Sequence, residues 1–157
     1  MPKDCEIGFL DADDVARAFA VMQVVMPSLS FETWKSLLAT DSLRRQWAVA
    51  RDRRGYIRGL VRIQPTSQGQ AARILDVPIF ATVSLLDQDG ISRQLLDFAK
   101  KCAWEEGCEA IRFWNSAPET PEQLELPEAT DPPVSLFYDL RTDRQWPEPY
   151  DTRPVKT

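Results

Sequence analysis

Residues 72–114 constrain the fold of this chain more than any other segment. A run rich in Ile, Leu, Val and Phe (72–86) gives way to a short polar stretch, Asp87-Gln88-Asp89-Gly90-Ile91-Ser92. An amphipathic helix follows over 93–106, with Leu95, Leu96, Phe98, Ala99, Cys102 and Ala103 on a broad apolar side. Gly107 stops it, and 110–114 is strand-like again. Strand, turn, helix, strand is a crossover unit, the kind that joins parallel strands. A turn that opens a helix straight after a strand aims several N–H groups at one spot, which suits a phosphate. The same turn carries Asp87 and Asp89, which oppose an anion.

Around this block the chain reads as hairpins and helices. A strand over 6–10 leads into the acidic Asp11–Asp14 stretch, a favourable helix start. Val15, Phe19, Met22 and Met26 then form one apolar face, and Pro27 ends the helix. Ser30 caps a second helix carrying Trp34, Leu37 and Leu38. Strands over 47–51 and 56–64 are joined by the turn Asp52-Arg53-Arg54-Gly55, and 65–70 is a polar loop. Gly59 inside the return strand marks a bulge or a close backbone contact. The run 72–86 exceeds a typical strand, so a bulge or splay is expected near Pro78. Thr120-Pro121-Glu122-Gln123 carries helix-start chemistry, and 134–140 is a closing strand. The reading is one mixed α/β (α+β) domain over 1–140 and a Pro-containing tail or arm over 141–157, with Trp146 and Tyr150.

Composition excludes several functions. A net charge of -5 argues against a nucleic-acid partner, which needs excess Lys and Arg. Arg51, Arg53 and Arg54 are interrupted by Asp52 and read as a hairpin turn. No apolar run is long enough to span a bilayer, and no secretory leader is visible at the N-terminus. Three scattered cysteines (Cys5, Cys102, Cys108) fit thiols in a reducing cytoplasm, with Cys102 a small buried hydrophobe on its helix. With no histidine, no Ser-His-Asp or Cys-His system can form, and the usual metal sites lose their commonest ligand, so no metal is expected. Acid–base chemistry falls to Asp, Glu, Tyr, Lys, Cys or water.

The element order, the block 87–114 and the segment Val21-Met22-Gln23-Val24-Val25-Met26-Pro27-Ser28-Leu29 resemble the GCN5-related N-acetyltransferases, over roughly 6–140. The resemblance implies a mostly antiparallel twisted sheet, splayed between its fourth and fifth strands, with helices on both faces. It implies acetyl-CoA as cosubstrate and direct attack by a small-molecule or peptide amine on the thioester. The family's Arg/Gln-x-x-Gly-x-Gly/Ala loop falls on residues 87–92: Gly90 matches, Ser92 takes the small last position, and Asp87 stands where Arg or Gln is usual. Ile91 and Arg93 complete the phosphate-binding start, with Arg93 offsetting the acidic pair. Val83 and Leu85 would pair with the pantetheine arm, and Asn115 would bond it from the fifth strand. Tyr138 is the candidate acid for the leaving thiolate, against a half-buried strand Tyr; Asp76 is the candidate base, against a hydrogen-bonded strand carboxylate. Met26 and Trp34 would border the acceptor, against plain core residues. The resemblance also implies a homodimer. The alternative function is a non-catalytic ligand- or protein-binding module of the same fold that has lost CoA.

Overall fold

Apolar-rich runs build six strands: β1 (Cys5–Phe9), β2 (Trp47–Asp52), β3 (Ile57–Ser67), β4 (Arg73–Thr82), β5 (Ala110–Trp114) and β6 (Ser135–Asp139). The computed structural model describes residues 5–67, 73–83, 88–114, 117–125 and 135–142. The strands lie in chain order, β1-β2-β3-β4-β5-β6. Neighbours are antiparallel except β4 and β5, which run parallel. That pair needs a crossover, and α4 (Gln88–Glu105) supplies it.

Two apolar layers sandwich the sheet. On one side lie α1 (Val15–Val25), α2 (Phe31–Leu37) and the single turn α3 (Asp41–Arg44). Asp11 and Asp14 form a reciprocal capping box at the entry to α1, while Ser30 and Thr40 cap α2 and α3. Met22, Met26, Trp34 and Leu38 pack here on Trp47, Val49, Leu60 and Ile79. On the other side Ile91, Leu95, Ala99 and Cys102 of α4 cover Ala48, Val61, Leu75 and Val77. This is the mixed sheet with helices on both faces that the sequence predicts.

Pro78 marks the expected irregularity. Arg62 pairs with Ile79 and Gln64 with Asp76, so β4 advances three residues while β3 advances two. The extra residue reverses the alternation. Leu75 and Val77 face α4, whereas Ile79 faces α1 and Phe80 turns back towards α4. The hairpin at Asp52–Gly55 also forms as read: Gly55 adopts φ 88, and the Asp52 carboxylate accepts from the Arg54 and Tyr56 N–H groups.

Three boundaries differ from the sequence expectation. β3 runs on through Pro65, which stands opposite Leu75, so part of the expected loop is strand. β4 ends at Thr82, and α4 starts at Gln88 rather than at 93. A glycine early in a helix reads as a loop, but burial of Ile91 and Leu95 extends the helix through Gly90. The short α3 was not anticipated, since one turn leaves no periodic signal. The tail beyond Thr142 lies outside the described residues.

Cys102 on α4 and Cys108 just after it are both buried. Burial, then the nearby Glu105, pushes the Cys102 thiol up to about 12, and burial raises Cys108 as well. The folded value of Cys102 exceeds the unfolded one, so its stabilising contribution is full below about pH 8.5 and is lost as pH rises towards the folded value. At pH 8 an aromatic disulfide reagent should leave Cys102 and Cys108 unmodified in the folded protein and label both on denaturation. Rapid native labelling of either would contradict this packing.

Candidate functional site

The parallel ladder is short. Ile74–Val77 of β4 pair with Ala110–Phe113 of β5, and there the pairing stops. Beyond it, β4 continues through Thr82 bonded to β3 alone. Among the described residues no strand pairs with its other edge. Successive strand residues turn their N–H and C=O groups to opposite sides. The Val83 N–H donates to the Arg58 carbonyl of β3 at 2.9 Å, so Phe80 and Thr82 are the residues whose backbone faces the open side. This corrects the expectation for Val83. Leu85, expected to act with it, lies outside the described residues, as does Asn115.

The mouth of this slot has two different walls. Towards α4, the rings of Phe80 and Phe113 meet edge to face, 6.3 Å between centroids. Towards α1 lies a buried polar cluster around Asp76, which is 4% exposed. Its Oδ1 accepts from Arg112 Nε at 2.6 Å and from Trp114 Nε1 at 3.1 Å. Its Oδ2 accepts from Arg112 Nη2 at 2.8 Å and from Thr66 Oγ1 at 3.0 Å. A carboxylate has about four acceptor positions, and these bonds fill them. A general base needs a lone pair open to the amine, and Asp76 offers none. The expected base is therefore a sheet-locking carboxylate. Arg112, Trp114 and Thr66 were not singled out from sequence. The signal was present: 73–82 and 110–114 are apolar strands with one buried charge of opposite sign each.

At the far end, α4 begins just past the end of β4. The N–H groups of Gln88, Asp89 and Gly90 are in its first turn and have no partner within a helix. They are the donors an anion would meet, and the helix dipole adds to them. Gly90 carries no side chain to block the approach. Ile91 is buried against the sheet, so its side chain belongs to the core, while Ser92 is half-buried and Arg93 exposed. Asp87 and the side chains of Gln88 and Asp89 lie outside the described residues.

The remaining expected residues are placed elsewhere. Tyr138 stands opposite Ile111 in the closed part of the sheet. Its ring lies on the α4 side under Lys100 Nζ, 4.3 Å from the centroid, back from the opening at Val77 and Phe113. Met26 and Trp34 are fully buried, and the Trp34 indole N–H donates to the Val15 carbonyl at 2.8 Å. Neither presents surface to an acceptor, which corrects that expectation in favour of core packing. A separate cavity of about 740 Å³, lined by Glu6, Asp11, Asp14, Arg17 and Arg51 among others, opens beside β1 and α1. Hydrogen bonding to Asp14 raises Arg51 above its usual value, and the pair ties the helix start to β2 at 2.8 Å.

No protein-family model and no curated protein sequence matches the chain. Solved structures do match. The NatC complex bound to Gag peptide and CoA aligns at TM-score 0.56 and 14% identity, over 70% of this chain and 73% of that one. The ribosomal-protein-alanine N-acetyltransferase of Brucella melitensis aligns at TM-score 0.57 and 18% identity, over 81% and 94%. The GNAT family N-acetyltransferase YhbS of Escherichia coli, in complex with CoA, aligns at TM-score 0.53 and 21% identity. That alignment covers 73% of this chain and 64% of the other.

Removing one member of a buried ion pair strands the other charge, at a cost of about 3–5 kcal/mol. Asp76→Ala should show a loss of that size in urea denaturation. The double replacement Asp76→Leu with Arg112→Met should recover most of it. An Asp76→Ala protein within about 1 kcal/mol of wild type would mean the pair does not lock the sheet.

Proposed function

We propose that this chain, which has the GCN5-related N-acetyltransferase fold, is an acetyltransferase that uses acetyl-CoA to acetylate a small-molecule or peptide amine. The observation that carries this reading is the open β4 edge ending beside the start of α4. An extended amide chain with an anionic end fits both features. Phe80 and Thr82 backbone groups offer it a ladder, and the first turn of α4 offers N–H donors to its phosphates. The CoA complexes among the structural neighbours support the same ligand.

When bound, acetyl-CoA supplies a thioester carbon open to attack: the amine nitrogen forms the N–C bond, the C–S bond breaks, and the proton lost from nitrogen ends on the thiol by way of water. Phe80 and Phe113 would shield the reacting end, which raises the effect of nearby dipoles. With Asp76 saturated and Tyr138 set back, water is the proton carrier in this reading.

That same pair of placements favours a second reading, a ligand- or protein-binding module of this fold without turnover. Titration with acetyl-CoA, followed by calorimetry and thermal unfolding, tests the binding that the first reading requires. At about 100 times its dissociation constant the ligand should stabilise the fold by about 2.7 kcal/mol. Gly90→Glu should abolish the shift by placing a carboxylate among the donors. No shift at millimolar acetyl-CoA would reject the enzyme reading. Thiol release over a panel of amines and peptides then separates the two: binding without release supports the module.

A further inference from the structure

Gly59 lies where the two halves of the proposed site are joined. It stands in register with Thr82, the last residue of β4. A Cβ placed on it would come 2.6 Å from Leu95 Cδ1 and 3.2 Å from Ile91 Cγ2, with the Ala81 carbonyl oxygen at 3.4 Å. The positive-φ glycines described are Gly55 and Gly107, so Gly59 is required for space rather than for backbone conformation. Ile91 and Leu95 are both buried and belong to the first two turns of α4. The nearest atom is a methyl of Leu95, a side chain with no exposed surface, so room for a Cβ comes only from repacking within the core. The first turns of α4 thus press their side chains onto β3 more closely than a side chain at 59 allows without a shift.

The consequence falls on the helix start. Gln88 is three residues before Ile91, about 4.5 Å along the axis. The turn that would meet the anion is therefore held almost directly by the Gly59 contact. Because Gly59 is opposite Thr82, the same contact holds that turn against the end of the open β4 edge. We propose that Gly59 is a positioning residue for the cosubstrate, setting the span between the strand that receives the amide chain and the helix start that receives its phosphates. This rests on the acetyl-CoA reading above. Heavy atoms in contact lie about 3.5–4.0 Å apart, so a methyl at position 59 forces a shift of roughly an ångström, shared between the Leu95 side chain and the helix start that carries it. A misplacement of that size can cost about a hundredfold in a positioned site.

The test compares two ligands on one protein. Acetyl-CoA uses both the strand edge and the helix start, whereas S-acetyl-pantetheine lacks the pyrophosphate and nucleotide and uses the strand edge alone. Dissociation constants would be measured for wild type, Gly59→Ala, Gly59→Val and the double variant Gly59→Ala with Leu95→Ala. Gly59→Ala should weaken acetyl-CoA about tenfold and Gly59→Val about a hundredfold. Binding of S-acetyl-pantetheine should change less than about twofold. Trimming Leu95 in the Gly59→Ala background should restore part of the acetyl-CoA affinity. If Gly59→Val does not fold, the milder Gly59→Ala and its Leu95→Ala partner carry the test. Unchanged acetyl-CoA affinity in folded Gly59→Ala would overturn the proposal, and so would equal weakening of both ligands. If wild type binds neither ligand, the acetyl-CoA reading itself fails, a result distinct from either of these.

Discussion

Asp76 and Arg112 face each other across the parallel pair of strands, joined by bonds of 2.6 and 2.8 Å. Parallel ladders are slightly weaker per residue than antiparallel ones, and this one covers only Ile74–Val77 and Ala110–Phe113. The ion pair sits one residue before its end. It holds the sheet closed up to that rung, and the strands part beyond it. The open edge, the aromatic wall and the position of α4 relative to β4 all depend on that boundary. Trp114 and Thr66 complete the carboxylate's bonds and so tie β3, β4 and β5 to one oxygen pair.

The extra residue at Val77-Pro78 works with that clamp. Proline has no N–H to give to a neighbour, so it stands naturally where β4 leaves β5. The bulge also redistributes the side chains, sending Ile79 to the α1 layer and Phe80 to the α4 layer. The slot thereby gains an apolar wall on one side while the polar cluster keeps the other. Gly59 and the α4 contact then bring a helix start to the far end of the same edge.

The architecture was largely legible in the residues. Hairpin chemistry at Asp52–Gly55, the acidic helix start at Asp11–Asp14, the cap at Ser30 and the strand–helix–strand block specify the mixed sheet and its crossover. The site was less so, and the bulge explains one error. The resemblance assigns Val83 to the open side without counting the residue that the irregularity near Pro78 inserts. One inserted residue reverses which backbone groups face which way downstream, so the open positions become Phe80 and Thr82. Asp76 was found for its charge, but its role depends on Arg112, distant in sequence and adjacent only in the folded sheet. Met26 and Trp34 carry the same apolar signal whether they line a pocket or fill a core, and burial decides for the core.

Because strand order equals chain order, the protein can assemble as it is synthesised. β1 to β4, with α1 and α2, form a meander complete by Thr82. One side of it is already covered. The other, with Ala48, Val61, Ile63 and Val77, has no cover until α4 is made. At about 5–20 residues per second, translation from Thr82 to Glu105 takes roughly one to five seconds. For that interval the growing chain carries a bare apolar sheet face. The nascent chain, more than the finished one, is where this fold is exposed to mispairing and aggregation.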